Sequence, residues 1–314
     1  MKRLTENLLQ VAGVATRVLS GGVESAPTAL LLHGGSPGIS PFCGGAHLWG
    51  AMLDRLAESR RLVVPDLLGS GGTGAGDVPL TVDRMVEHAT ALIKATAAEP
   101  VHLVGHDLGG LVALWTAITA PELLASLTIV SSAAASPTGD GVENLALVSP
   151  PQPLWSRESQ AWAYDRLSYS HHHIDDALLD GSATAAGQNG HKAVARPGSA
   201  PSASDLFVSI MRSKSRFFQV ARETGVRVPT QIIWAKNDSL VTADHGVWLY
   251  RIIAAKQRAA HFHMINRSGS FPFREQPDEF LRILTAFQDG LIAEAPARHG
   301  RVSVRPSTPF SSVL

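Results

Sequence analysis

Val101-His102-Leu103-Val104-Gly105-His106-Asp107-Leu108-Gly109-Gly110 is the stretch that decides the fold. A short apolar run leads into Gly-x-Asp-x-Gly, and the apolar-periodic Leu111-Val112-Ala113-Leu114-Trp115 follows, so the segment predicts a strand, a sharp turn and a helix. Gly105 and Gly109 remove Cβ atoms where the chain turns tightly and where strand and helix nearly touch. The side chain between them, Asp107, is therefore expected to stand out above a sheet, at an elbow where serine is usual.

The same alternation extends outward from this elbow. Upstream, residues 29–32 read as a strand ending in the glycine-rich turn His33-Gly34-Gly35-Ser36-Pro37-Gly38, with a helix over 47–56. Residues 62–65 read as the next strand, running into Asp66 and the loop 69–74, followed by a helix with Thr81 or Asp83 near its N-cap and Val86, Ala89, Leu92 and Ile93 on its apolar face. Gly69-Ser70-Gly71-Gly72-Thr73-Gly74 lacks the lysine of a phosphate loop and no helix opens directly on it, so it reads as the exit from a strand. Downstream, 127–130 is a strand, and the pattern breaks near Ser131. It resumes with Thr230-Gln231-Ile232-Ile233-Trp234, a helix over 246–253, a strand over 261–265 and a helix over 278–287. Strands alternating with helices at this spacing imply a mostly parallel sheet covered on both faces, an α/β fold.

The intervening stretch is richer in Ser, Pro, Ala, Gly and His, with helical pieces over 158–167 and 203–223 and a loose segment over 181–201. It reads as an inserted, mainly helical cap. The expected organisation is a core over 1–133 and 228–292, a cap over 134–227 and a flexible, aperiodic, proline-containing tail over 293–314.

With 45% hydrophobic and 17% charged residues in 314, the chain can bury a large core. A formal net charge of zero leaves no electrostatic footprint for nucleic acid or an anionic membrane, so the expected partner is a small molecule, with a homo-oligomer possible. Cys43 is the only cysteine, which excludes an internal disulfide and a multi-cysteine metal site; no metal or other cofactor is expected. Met1-Lys2-Arg3 resembles the start of a signal peptide, but Glu6, Asn7, Gln10 and Arg17 interrupt the apolar region such a segment needs. No stretch is long enough to span a bilayer, and the expected location is the cytoplasm.

These elements resemble the α/β-hydrolase superfamily over nearly the whole chain, and most of all the meta-cleavage-product hydrolases, which break carbon–carbon bonds in ring-opened dienoates. The resemblance rests on three further segments. His33-Gly34-Gly35-Ser36-Pro37-Gly38 is similar to that group's oxyanion loop, and Trp234-Ala235-Lys236-Asn237-Asp238-Ser239-Leu240-Val241 to its acid-bearing loop. Asn266-Arg267-Ser268-Gly269-Ser270-Phe271-Pro272 is similar to the loop carrying the general-base histidine. The departures are as informative: Asp107 stands for serine and Ser270 for histidine, while the acid Asp238 is retained. Gly-His-Asp at the elbow resembles epoxide hydrolases and haloalkane dehalogenases, which attack with a carboxylate. Leu108 stands where many dehalogenases hold halide with tryptophan.

The resemblance thus implies a catalytic set of Asp107, Asp238 and Ser270 and an oxyanion hole from the backbone of Gly34 or Gly35 and of Leu108. Tyr164, Tyr169 and Phe271 are candidate substrate contacts, the tyrosines as cap proton donors or as helix packing. Two enzyme classes stay open: an atypical hydrolase with Asp107 as nucleophile or general base, and a cyclase, isomerase, epimerase or lyase with Asp107 as proton shuttle. A non-catalytic binding protein is the third. His106 is expected behind its strand, His33 in a structural role, His261 and His263 on one face of a strand, and His171-His172-His173 in a solvated loop rather than at a metal.

Overall fold

The computed structural model describes residues 4–137, 147–196 and 202–294. Eight strands form one sheet: β1 Thr5–Val11, β2 Val14–Gly22, β3 Thr28–Leu32, β4 Arg61–Pro65, β5 Val101–His106, β6 Leu124–Val130, β7 Thr230–Ala235 and β8 Ala260–Ile265. Their order is β1-β2-β4-β3-β5-β6-β7-β8, antiparallel up to β4 and parallel from β4 to β8. Every residue of β5 and β7 is buried, as expected of central parallel strands covered on both sides.

Neighbouring residues of one strand serve opposite layers because side chains alternate across a sheet. Leu30, Leu32 and Leu103 join an apolar cluster with α2 Val82–Thr96, α3 Leu108–Thr119 and α8 Ala243–Ala254. Ala29, Leu31 and Val104 point the other way, into a cluster with α1 Met52–Leu56, Trp49, Phe273 and, from α10 Pro277–Glu294, Phe280 and Leu284. No side chain caps the N-terminus of α3, so its stability comes from burial of Leu111, Leu114 and Trp115, at about 2 kcal/mol for each large apolar side chain.

Between β6 and β7 the chain places α4 Arg157–Leu167, α5 Asp176–Gly187, α6 Asn189–Ala195 and α7 Ala203–Glu223, and α9 Pro272–Glu275 precedes α10. Of the segment over 181–201 expected to be loose, the described part, 181–196, is largely helical, because α5 runs on to Gly187 and α6 follows at once; 197–201 lie outside the described residues. These helices carry few bulky apolar residues and are held by close approach. A Cβ on Gly190 would lie 2.1 Å from the Thr73 carbonyl oxygen, and one on Gly181 would meet the His47 ring at 2.8 Å. A second difference is the β1–β2 hairpin, for which the chain has no Asn-Gly signal. Ala12 and Gly13, both at positive φ, make its two-residue turn.

The helix expected over 47–56 is split into a 3-10 turn, Ala46–Trp49, and α1, with Gly50 at φ 61° between them. Thr81, not Asp83, is the N-cap of α2, accepting from the Arg84 N–H. Helix α10 extends to Glu294, past the expected boundary at 292, and the rest of the expected tail lies outside the described residues. Among the described residues no helix is long and apolar enough to cross a membrane.

Candidate active site

Asp107 sits between β5 and α3 with φ 45° and ψ −114°, a conformation that costs about 1–3 kcal/mol and persists only where the surroundings enforce it. Four hydrogen bonds do so: its N–H donates to Val130 O at 3.2 Å, and its carbonyl accepts from Gly110 N (2.9 Å), Leu111 N (3.3 Å) and Ser132 Oγ (2.5 Å). A Cβ on Gly109 would fall 2.2 Å from Leu32 O, and one on Gly105 would fall 2.2 Å from Gly109 O. Backbone therefore meets backbone beneath the turn, and the half-buried Asp107 carboxylate stands at the carboxyl end of the sheet without capping α3.

The carboxylate meets the glycine-rich loop after β3. The Gly35 N–H donates to Asp107 Oδ2 at 3.2 Å, with Gly35 at φ 87°. His33 holds this loop: its Nε2 accepts from Leu67 N at 2.8 Å, so Nδ1 carries the proton and donates to Gly34 O at 2.8 Å. Burial lowers the His33 pKa and keeps the ring neutral, a structural role.

Ser270 and Asp238 come together on the adjoining loops. Ser270 Oγ donates to Asp238 Oδ1 at 2.7 Å, and the same oxygen accepts from Leu240 N (2.9 Å) and Val241 N (3.1 Å). Asp238 Oδ2 is buried with no partner among the described residues. Burial pushes the Asp238 carboxyl up to about 7; the three hydrogen bonds oppose this, and the negative charge of Asp107 adds to it. The two aspartates thus share one electrostatic site.

This carboxyl has a consequence for stability. Its folded-state pKa of about 7 lies above the ordinary 3.8, so the folded state binds the extra proton between those values. Stability should therefore fall as pH rises from about 4 to about 7, by at most about 1.4 kcal/mol per pH unit from this group. It should change no further above that. Asp238→Asn removes the titration, and urea midpoints at pH 4.5 and 7.5 should show a smaller difference in the variant. An unchanged difference would mean that Asp238 is ionised throughout.

Among the described residues no histidine is hydrogen-bonded to Asp107 or Asp238. His106 is buried, where Nε2 donates to Ser270 O at 2.8 Å and the ring packs against Phe273 and Phe271 at centroid distances of 5.0 and 5.6 Å. Burial pulls its pKa down to about 4. His261 packs against Phe287, and His263 is on the same strand, β8. His171, against Asp165, and His172, bonded to Ser170, are exposed as expected, but His173 is buried rather than solvated, bonded to Ser168 and packed on the His172 and Phe271 rings. Among the described residues no group of three His, Cys, Asp or Glu side chains could hold a metal ion. Cys43 and His191 are in contact, and burial pushes the thiol up to about 12 and the imidazole down to about 4, so burial favours the neutral thiol and imidazole over a thiolate–imidazolium pair.

Of the expected substrate contacts, Phe271 and Tyr164 belong to one buried aromatic group with Phe42, whose ring edge flanks Gly35. The Tyr164 hydroxyl is 2.6 Å from Ser182 Oγ, which in turn is 3.0 Å from His47 Nε2. Tyr169 is 52% exposed, outside that group. The Leu108 side chain is fully buried in the apolar cluster beneath the turn.

Sequence reasoning missed Lys214. It lies on α7 on the same face as Ile210 and Phe217, both buried, and its Nζ donates to Ala133 O at 2.9 Å. A lysine at a core-facing helical position was the available signal. Asp107 is the charge that acts on it.

Residues 29–283 match the model of the alpha/beta hydrolase family. A 2-hydroxymuconate semialdehyde hydrolase of Pseudomonas putida is 27% identical over 293 residues, covering 92% of this chain and 94% of the relative. A 2-hydroxy-6-oxo-2,4-heptadienoate hydrolase of Pseudomonas putida is 24% identical over 290 residues, covering 88% and 96%. Among solved structures, the 2-hydroxy-6-oxo-6-phenylhexa-2,4-dienoate hydrolase of a Rhodococcus species superposes with a TM-score of 0.72 at 18% identity, covering 91% of this chain and 99% of that one.

Proposed function

The chain belongs to the alpha/beta hydrolase family, and from that premise we propose that it hydrolyses a small, largely apolar molecule with Asp107 as the nucleophile. The observation that carries this reading is the Gly35 N–H donating to Asp107 Oδ2, which fixes one carboxylate oxygen and leaves Oδ1 to attack. A serine would need a base to take its proton, and among the described residues no histidine is hydrogen-bonded to Asp107; a carboxylate needs no such base. Oδ1 attacks an electrophilic carbon, the carbon's bond to its leaving oxygen breaks, and an ester of Asp107 results. Water then attacks the ester carbonyl, and the backbone N–H groups of Gly35 and Leu108 bind the oxyanion that forms. Its collapse breaks the ester carbon–oxygen bond, one proton of the water going to the departing alcohol and the other to solvent as the Asp107 carboxylate is restored.

Release of that ester is the slow half. Ser270 and Asp238 occupy the place where a histidine and its acid would activate the water. Intact-mass measurement after incubation with small epoxides should show added mass on the peptide containing Asp107, and Ser270→His should shorten the life of that adduct. Absence of an adduct with every electrophile tried, and no gain from Ser270→His, would overturn the nucleophile assignment.

A second reading is favoured by the buried Asp238, whose carboxyl at about 7 can hold a proton at neutral pH. There Asp107 takes a proton from the substrate or from water, Asp238 supplies one through Ser270, and no ester forms. Ring-opened dienoates, the class in the relatives' names, are the substrates to assay for it.

A further inference from the structure

We propose that Lys214 is the proton donor to the oxygen released when Asp107 opens an epoxide ring; this rests on the nucleophile reading above. Opening an epoxide leaves an alkoxide, which needs a proton from a group facing the carbon that Asp107 attacks. The tyrosines are placed for other work. The Tyr164 hydroxyl is fully buried against Ser182, Tyr169 is at the surface, and Tyr250 packs on Phe262.

Lys214 reaches the site from the inserted helices. Asp107 N–H bonds to Val130 at the end of β6, Ser132 Oγ bonds to the Asp107 carbonyl, and the next residue, Ala133, supplies the carbonyl that receives Nζ at 2.9 Å. The segment 130–133 therefore ties the ammonium to the turn that carries Asp107. Among the described residues no carboxylate lies within salt-bridge distance of Nζ, and Ala133 O is the one acceptor its three protons have there. Burial lowers the Lys214 pKa, which makes the ammonium a stronger acid, while the Asp107 charge opposes that shift and keeps the proton in place.

The step balances without any further reagent. Asp107 Oδ1 forms a bond to the epoxide carbon, the carbon–oxygen bond breaks with its electrons on oxygen, and the Lys214 ammonium transfers one proton to give a hydroxy ester and a neutral amine. Water re-protonates the amine before the next cycle.

The experiment compares two electrophiles that differ only in this need. An epoxide requires a proton on its leaving oxygen, whereas an alkyl bromide departs as bromide and requires none. Adduct formation is followed by intact mass in the wild type, Lys214→Met and Lys214→Arg, each first checked by thermal melting, with Lys214→Gln in reserve if Lys214→Met does not fold. Lys214→Met should slow the epoxide by about 100-fold and leave the bromide within about threefold, and Lys214→Arg should not recover the epoxide rate, since a guanidinium keeps its proton. Equal slowing of both electrophiles, no slowing of either, or recovery with arginine overturns the proton-donor role while leaving the nucleophile standing. No wild-type adduct with either electrophile overturns the nucleophile and this role with it.

Discussion

Asp107→Asn should lower turnover about 1,000-fold or more while leaving the melting temperature within a few degrees of the wild type. The two halves of that expectation have separate causes. Asparagine has nearly the same shape, tolerates positive φ as aspartate does, and its amide oxygen can still accept the Gly35 N–H that Asp107 Oδ2 now accepts at 3.2 Å. The four backbone-directed bonds that hold the turn involve the main chain of residue 107 and survive the change. What disappears is the negative charge, and with it both the nucleophile and the alternative general base. Loss should fall on kcat, because the carboxylate acts in the chemical step and the aromatic group around Phe271 is untouched. Wild-type turnover in this variant would remove Asp107 from the mechanism under either reading and leave a binding protein as the account of the site.

How much of this site can be seen before any coordinates follows from how local each signal is. The turn at Asp107 is encoded within ten residues, by a buried strand, two glycines at fixed spacing and an apolar helix, so it is legible with aspartate at its tip as it would be with serine. Gly35, Asp238 and Ser270 are legible for the same reason, each on a loop at a strand end with a recognisable neighbourhood. Lys214 is different. Its relation to Asp107 depends on how α7 folds back over the sheet, 107 residues along the chain, and the sequence around it shows only a charged residue among apolar ones. The fates of Tyr164 and Tyr169 depend on the phase and end of α4: the first turns inward to Ser182 and the second lies beyond the helix on the surface. Helices α5 and α6 escape the periodicity test because Ala, Ser and Gly give them little apolar contrast; close contacts hold them, as at Gly190 against the carbonyls of Thr73 and Gly71. Local spacing thus reveals where the Asp107 carboxylate stands, and tertiary packing decides what faces it.

Gly109→Ala should be among the most damaging single-methyl additions at the described glycines, costing on the order of 4 kcal/mol or more and yielding a protein largely unfolded or insoluble. The added Cβ would lie 2.2 Å from Leu32 O and 2.6 Å from His33 O, distances that no relaxed carbon–oxygen contact permits. Both neighbours are backbone atoms at the end of β3, pinned by pairing with β5 and by the Gly109 N–H donating to His33 O, so neither can swing aside as a side chain would. Relief has to come from moving α3 away from β3 or from displacing the loop that begins at His33. The second route would draw Gly35 away from Asp107, which ties stability and chemistry to the same contact. A variant that survives with a modest drop in melting temperature should therefore still lose most of its adduct formation with epoxides. Gly290→Ala, on α10 with no atom within 4 Å of its added Cβ, is the control in which the same change should have little effect. Wild-type stability and reactivity in Gly109→Ala would mean that strand and helix do not approach so closely at the turn, and that the position of the Asp107 carboxylate is set by something other than these glycines.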